Sequence, residues 1–188
     1  MKLKTLMMGA AASLAMAPAA FAERGADGQV NVILWQAPST MNPYLSSGTK
    51  DIIAASMTIE PLANFDPTGK VVARLAAEVP SLENGGIAED LKSVTWKLQP
   101  GLKWSDGSAL TAADVVFTAN YCMDPKGGCA QLAKFEGIEK VEAVDDLTVK
   151  VSFTTPRPDP FSAFVGGQSP ILQKAQFEKC IGEAAPTC

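Results

Sequence analysis

The chain has no histidine anywhere in its 188 residues. That absence removes Ser-His-Asp and Cys-His nucleophilic catalysis, along with every zinc site built on imidazole. The commonest general base near neutral pH goes with it. Basic charge is also scarce. Sixteen Lys and Arg stand against twenty Asp and Glu, a net charge of −4. Without a basic run the chain lacks the phosphate-neutralising patch on which nucleic-acid affinity rests, and it suits an anionic membrane surface poorly. No P-loop or dinucleotide-type glycine loop is present. No repeat or low-complexity tract is evident, and no cofactor or metal is implied.

What is present begins with a leader. Lys2 and Lys4 precede an apolar run from Leu6 to Ala17, and Ala20-Phe21-Ala22 supplies a small-x-small cleavage pattern. Residues 1–22 read as a secretory signal peptide. The run is too short and Ala-rich for a membrane span, which needs about 20 strongly apolar residues. No cysteine sits at the cleavage point, so no lipid anchor is expected.

Export permits disulfides. The four cysteines, Cys122, Cys129, Cys180 and Cys188, allow three pairings, of which Cys122–Cys129 with Cys180–Cys188 is the economical one. Closing the eight-residue loop should stabilise by about 2.5 kcal/mol in the chain-entropy model. A four-thiolate zinc site is the alternative, although the spacings are wider than in zinc knuckles.

Apolar patterning places the elements. Gln29–Gln36 is β-branched and apolar and reads as a buried strand, with Trp35 expected in the core. Pro38 and Pro43 break it. A helix starts near Lys50 or Asp51 and must stop at Pro61. Leu62–Asp66 and Val71–Ala77 are short strands around an Asp66-Pro67-Thr68-Gly69 turn. Ser93–Leu98 alternates, with Val94, Trp96 and Leu98 on one face. Ser105-Asp106-Gly107 forms a corner, and Thr111 with Asp114 makes an approximate capping box. Ile138–Val144 and Leu147–Phe153 form a hairpin, with Val141 and Ala143 on one face of its first strand. Phe161–Val165 is a short apolar helix or turn, and Gln173–Lys179 a final helix.

Two stretches invite a catalytic reading. Asp145-Asp146 and Glu139/Glu142 are acidic clusters, of which the first reads better as a hairpin turn. Gly167-Gln168-Ser169-Pro170 only partly resembles a nucleophile elbow, because Ile171 replaces the closing glycine.

The stretch VTWKLQPGLKWSDGSALTAADVVFTANY, together with TIEPLANFDPTGKVVARLAAEV, resembles the signature regions of extracellular solute-binding proteins of family 5, the dipeptide/oligopeptide receptors of ABC importers. Members of that family are more than twice this long. The resemblance therefore implies an N-terminal part of a mixed α+β or α/β, periplasmic-binding-protein-like II fold. It would comprise the start of lobe I and its small antiparallel-sheet subdomain. The expected divisions are a leader at 1–22, the first strand, cleft loop and helix at 23–60, the small subdomain at 61–165, and a return segment at 166–188. The Trp104–Gly107 corner is then scaffold. By position, the resemblance makes Tyr44, Leu45, Ser46, Ser47, Gly48 and Thr49 the candidate ligand contacts.

The implied protein is a periplasmic, monomeric, non-enzymatic receptor that binds peptides and hands them to the transmembrane subunits of an ABC permease. Relatives also take up nickel complexes, oligosaccharides and opines. Two other classes remain. A carboxylate-dependent hydrolase would bring two acids into one pocket, one of them with a raised pKa. A disulfide-stapled structural module would show a complete core with no raw apolar face.

Overall fold

The structure, a computed structural model, describes residues 28–187. The leader expected at 1–22 lies outside that range, as does Cys188. The described residues fall into two units, divided between Ile33 and Leu34. Of the first, residues 28–33 are described. They form no strand, and Val30 and Ile33 are exposed.

Among the described residues the second unit holds two small antiparallel sheets, three α-helices and three short 3-10 helices. The first sheet is a hairpin of β1 (Ala63–Phe65) and β2 (Val71–Ala73). Its turn is the expected one: the Gly69 N–H donates to Asp66 O at 2.9 Å, and Gly69 sits at φ 85°, where a side chain would be strained. The second sheet comprises β3 (Ser93–Lys97), β4 (Ile138–Asp145) and β5 (Thr148–Phe153), in the order β3-β5-β4. Register follows the alternation, pairing Val94 with Val151 and Trp96 with Val149. Val94, Trp96, Val149, Val151 and Phe153 are all buried. Each such side chain contributes roughly 1.5–3 kcal/mol relative to exposure.

Helix α2 (Ala112–Met123) covers this sheet, packing against β4 and β5. Its start is specified by the expected capping box, and the Asp114 carboxylate reaches further than that motif requires. It accepts from the Thr111 N–H at 2.9 Å, the Trp104 indole N–H at 3.4 Å and the Lys174 N–H at 2.8 Å. One carboxylate thus joins the Trp104 corner, the start of α2 and the short helix α3 (Lys174–Phe177). Helix α1 (Thr49–Ala55) is the remaining α-helix.

One expectation needs correction. Gln29–Gln36 forms no strand, and Trp35 is 73% exposed instead of in the core. A strand must pair its backbone N–H and C=O groups, and no ladder or bridge of the described sheets reaches this segment. In β4, Val141 and Ala143 pair with Val151 and Val149 and so share one face as expected, with Val141 buried and Ala143, nearer the end of this edge strand, exposed. Of the two forms expected for Phe161–Val165 the turn is the one present, with Phe164 at φ 63°. Two contacts hold Phe164 there: its N–H donates to the Ser169 hydroxyl at 2.8 Å, and its buried ring meets Phe135 edge-on at 5.5 Å.

Cys122 and Cys129 are joined as expected, which removes the four-thiolate zinc alternative. Cys180 is buried, and its expected partner Cys188 is outside the described residues. Asp114→Ala should lower stability by about 1–3 kcal/mol, since it removes a helix cap and strands partly buried donors. Urea unfolding measures this; a midpoint within error of wild type would contradict the junction role.

Candidate functional site

The candidate stretch is built by short-range chemistry. Pro43 opens a 3-10 turn, Pro43–Leu45, and Asn42 caps it by accepting the Tyr44 N–H at 3.0 Å. Gly48 then caps α1. At the centre sits Asp51, which is 2% exposed. Its carboxylate accepts from the Ser46 hydroxyl at 2.6 Å, the Ser39 N–H at 2.6 Å and the Lys50 ammonium at 2.9 Å. The Ser46 hydroxyl, followed by Lys50, holds the Asp51 carboxyl well below the usual carboxylate range. A Cβ on Gly48 would lie 3.1 Å from Asp51 Oδ2 and 3.2 Å from Ser46 Oγ, so glycine lets the clamp close.

The six candidate residues divide. Tyr44 is fully buried. Its ring packs against Tyr121 and Phe135 at 6.2 and 6.1 Å, and its hydroxyl donates to Pro170 O at 2.7 Å. Burial pushes its phenol well above the ordinary value. Leu45, Ser46 and Gly48 are half-buried, and the Ser46 hydroxyl is committed to Asp51. Ser47 and Thr49 face outward.

The structure also brings in a region that the sequence reading left out of the site. The loop closed by Cys122–Cys129 lies beside this stretch. The Ala130 N–H donates to Tyr44 O at 2.8 Å. The buried Gln131 amide donates to Ser46 O at 3.0 Å and Pro43 O at 3.2 Å. Asn42 Nδ2 donates to the Tyr121 hydroxyl at 3.1 Å. Gly128, Ala130 and Leu132 are exposed next to these contacts. No spacing rule joins positions 85 residues apart.

A recess of about 650 Å³ opens elsewhere, walled by Met57, Glu60, Lys103, Trp104 and Phe177. The Trp104 corner, expected to be scaffold alone, is one of its walls, whereas none of residues 44–49 lines it. The corner nevertheless has internal reasons for its shape. Asp106 accepts from Ser108 N–H at 2.8 Å and from Gln173 Nε2 at 2.7 Å, and Gly107 takes φ 86°.

The acidic clusters do not converge. Asp145 makes the expected hairpin turn by accepting the Leu147 N–H at 2.8 Å, and that bond draws its carboxyl down, not up. Glu142 pairs with Lys140 at 2.6 Å. Ser169 of the elbow-like stretch is buried and accepts from Phe164. Among the described residues no His, Cys, Asp or Glu cluster could hold a metal. No helix among them is long and apolar enough to cross a membrane.

The Asp51 clamp has a pH signature. Its folded carboxyl lies below the unfolded value near 3.9. The clamp's contribution is therefore present above about pH 4 and lost as pH falls toward the folded value. The stability gap between wild type and Asp51→Asn should shrink on going from pH 5 to about pH 2.5. Urea midpoints at the two pH values check it, and an equal gap at both would show that the carboxylate charge is irrelevant.

Known proteins supply the remaining observations. Residues 70–185 match the family model described as bacterial extracellular solute-binding proteins, family 5 Middle. The chain is 35% identical over 127 residues to the glutathione-binding protein GsiB of Pectobacterium atrosepticum, covering 68% of this chain and 23% of that protein. The fold is similar to Haemophilus influenzae OppA in complex with RPPGFSPFR, with a TM-score of 0.66 and 27% identity, over 76% of this chain and 30% of that one. It is equally similar to AgaA from A. tumefaciens R10 in complex with agropinic acid, with a TM-score of 0.66 and 28% identity, over 76% and 28%. The expected mixed fold with small antiparallel sheets is thus the one observed. The chain spans about a quarter of the length of the curated relatives it matches.

Proposed function

This chain belongs to the bacterial extracellular solute-binding proteins of family 5, and on that premise we propose that it is part of a two-lobed, periplasmic receptor that captures peptides for an ABC importer. The match over residues 70–185 carries the reading. The names of the relatives support it: one is a glutathione-binding protein, and another is seen in complex with RPPGFSPFR. In this reading residues 1–22 direct export, the receptor acts as a monomer without catalysis, and the loaded form docks on the permease's transmembrane subunits.

The chemistry of the stretch suits a peptide. Ser47 and Thr49 offer hydroxyls and backbone groups at a surface that Asp51 and Gln131 already hold in shape. An extended peptide is bound through main-chain hydrogen bonds of this kind. A pre-formed wall spares the ligand the cost of ordering it. Tyr44 and the Ser46 hydroxyl contribute by fixing the wall from behind, Tyr44 from the core and Ser46 through Asp51.

Capture needs closure of a second lobe. Moving an open–closed balance from 1:99 to 99:1 takes about 5.5 kcal/mol of preferential binding to the closed state, and one wall cannot supply that alone. The 188-residue chain should therefore bind a dipeptide such as Met-Leu only in about the millimolar range. Amide shifts on titration should concentrate at Ser46–Thr49 and Leu132. Micromolar binding by this chain would overturn the two-lobe requirement. Shifts absent from those residues up to about 10 mM would overturn the site.

A further inference from the structure

Helix α2 reaches the candidate wall twice. It does so directly at Tyr121, whose hydroxyl accepts from Asn42 Nδ2 at 3.1 Å. It also does so through the covalent bond from buried Cys122 to Cys129. The two residues after Cys129 are the ones that touch the wall, Ala130 through its N–H to Tyr44 O and Gln131 through its side chain. Gln131 is 6% exposed, and its terminal amide carries two N–H donors. Two carbonyls at opposite ends of the 3-10 turn, Pro43 O and Ser46 O, accept from that one nitrogen. We propose that the Cys122–Cys129 disulfide and the Gln131 amide form one positioning unit that sets the shape of the peptide-facing turn at residues 43–46.

The proposal rests on the reading of that turn as a ligand wall, and it assigns the disulfide a task beyond general stabilisation. In the chain-entropy account a short-loop disulfide acts on the unfolded ensemble and stabilises every part of the native state alike. Here the bond ends one residue before the wall's first contact, so its loss should act locally. Gln131 belongs to the same device: the staple fixes where its backbone lies, and its amide converts that position into the spacing between two carbonyls. It touches no ligand itself.

Native-state hydrogen exchange tests this without any ligand. The probes are the Leu45 and Ser46 amides, which donate within the turn to Asn42 O and Pro43 O. The reference is the β3–β5 ladder. In the full 188-residue chain, Gln131→Glu should lower protection at Leu45 and Ser46 by about tenfold or more with the ladder unchanged, and the double variant Cys122→Ala/Cys129→Ala should lower it there by about tenfold more than in the ladder, which loses only the staple's general contribution. An ionised Glu cannot donate, whereas a protonated one regains an O–H donor. Protection in Gln131→Glu should therefore recover on acidification toward about pH 4, and protection in the disulfide variant should not. Unchanged protection in the turn, loss in step with the ladder, or no acid recovery in Gln131→Glu would overturn the proposal. Failure of the ligand reading shows itself separately, in a wild-type titration with Met-Leu that leaves Ser46–Thr49 unmoved.

Discussion

The burial of Tyr44 is the contact on which the rest of the molecule depends. Its ring fills the space between Tyr121 of α2 and Phe135, and its hydroxyl ends on Pro170 O. Three stretches, around residues 121, 135 and 170, meet at this one side chain. A buried phenol without a partner would cost roughly 1–3 kcal/mol; with Pro170 O as acceptor, it locks the residue 170 region against the turn that begins at Asn42. The exposed face of that turn has a defined shape because its hidden face is anchored this way.

Around that anchor the polar side chains act as couplers. Asp51 gathers Ser39, Ser46 and Lys50 into the start of α1. Asp114 gathers Thr111, Trp104 and Lys174. Gln131 spans Pro43 and Ser46. Each uses one planar group to satisfy several backbone or side-chain partners, which allows short irregular segments to hold their form with little regular structure. In the proposed reading this rigidity matters, because a mobile loop has to be ordered on binding and that cost is subtracted from the affinity. Tyr44, Asp51 and Gln131 are the buried couplers, and Ser47 and Thr49 are left exposed beside them.

Much of the architecture was legible because its causes are local. Alternation in Ser93–Leu98 predicts which side chains of β3 are buried. Asp66-Pro67-Thr68-Gly69 predicts its own turn, and Thr111 with Asp114 predicts the start of α2. The two nearer cysteines predict their own bond. The apolar stretch Gln29–Gln36 was misread for the complementary reason: its composition says strand, but a strand exists only if another pairs with it.

The candidate site shows the same division more sharply. The resemblance nominates residues 44–49 as candidates, a consecutive run treated alike. Folding sorts them, sending Tyr44 inward, committing the Ser46 hydroxyl to Asp51 and leaving Ser47 and Thr49 outside. It also adds Ala130 and Gln131 from the stapled loop, whose relation to the turn spans 85 residues and leaves no periodic trace. Composition and spacing express what each residue does to its immediate neighbours: the missing histidines, the caps, the turns, the near disulfide. Which distant backbone carbonyl a buried amide will reach is settled by packing, because the hydrogen bond forms only after water has been excluded from both partners.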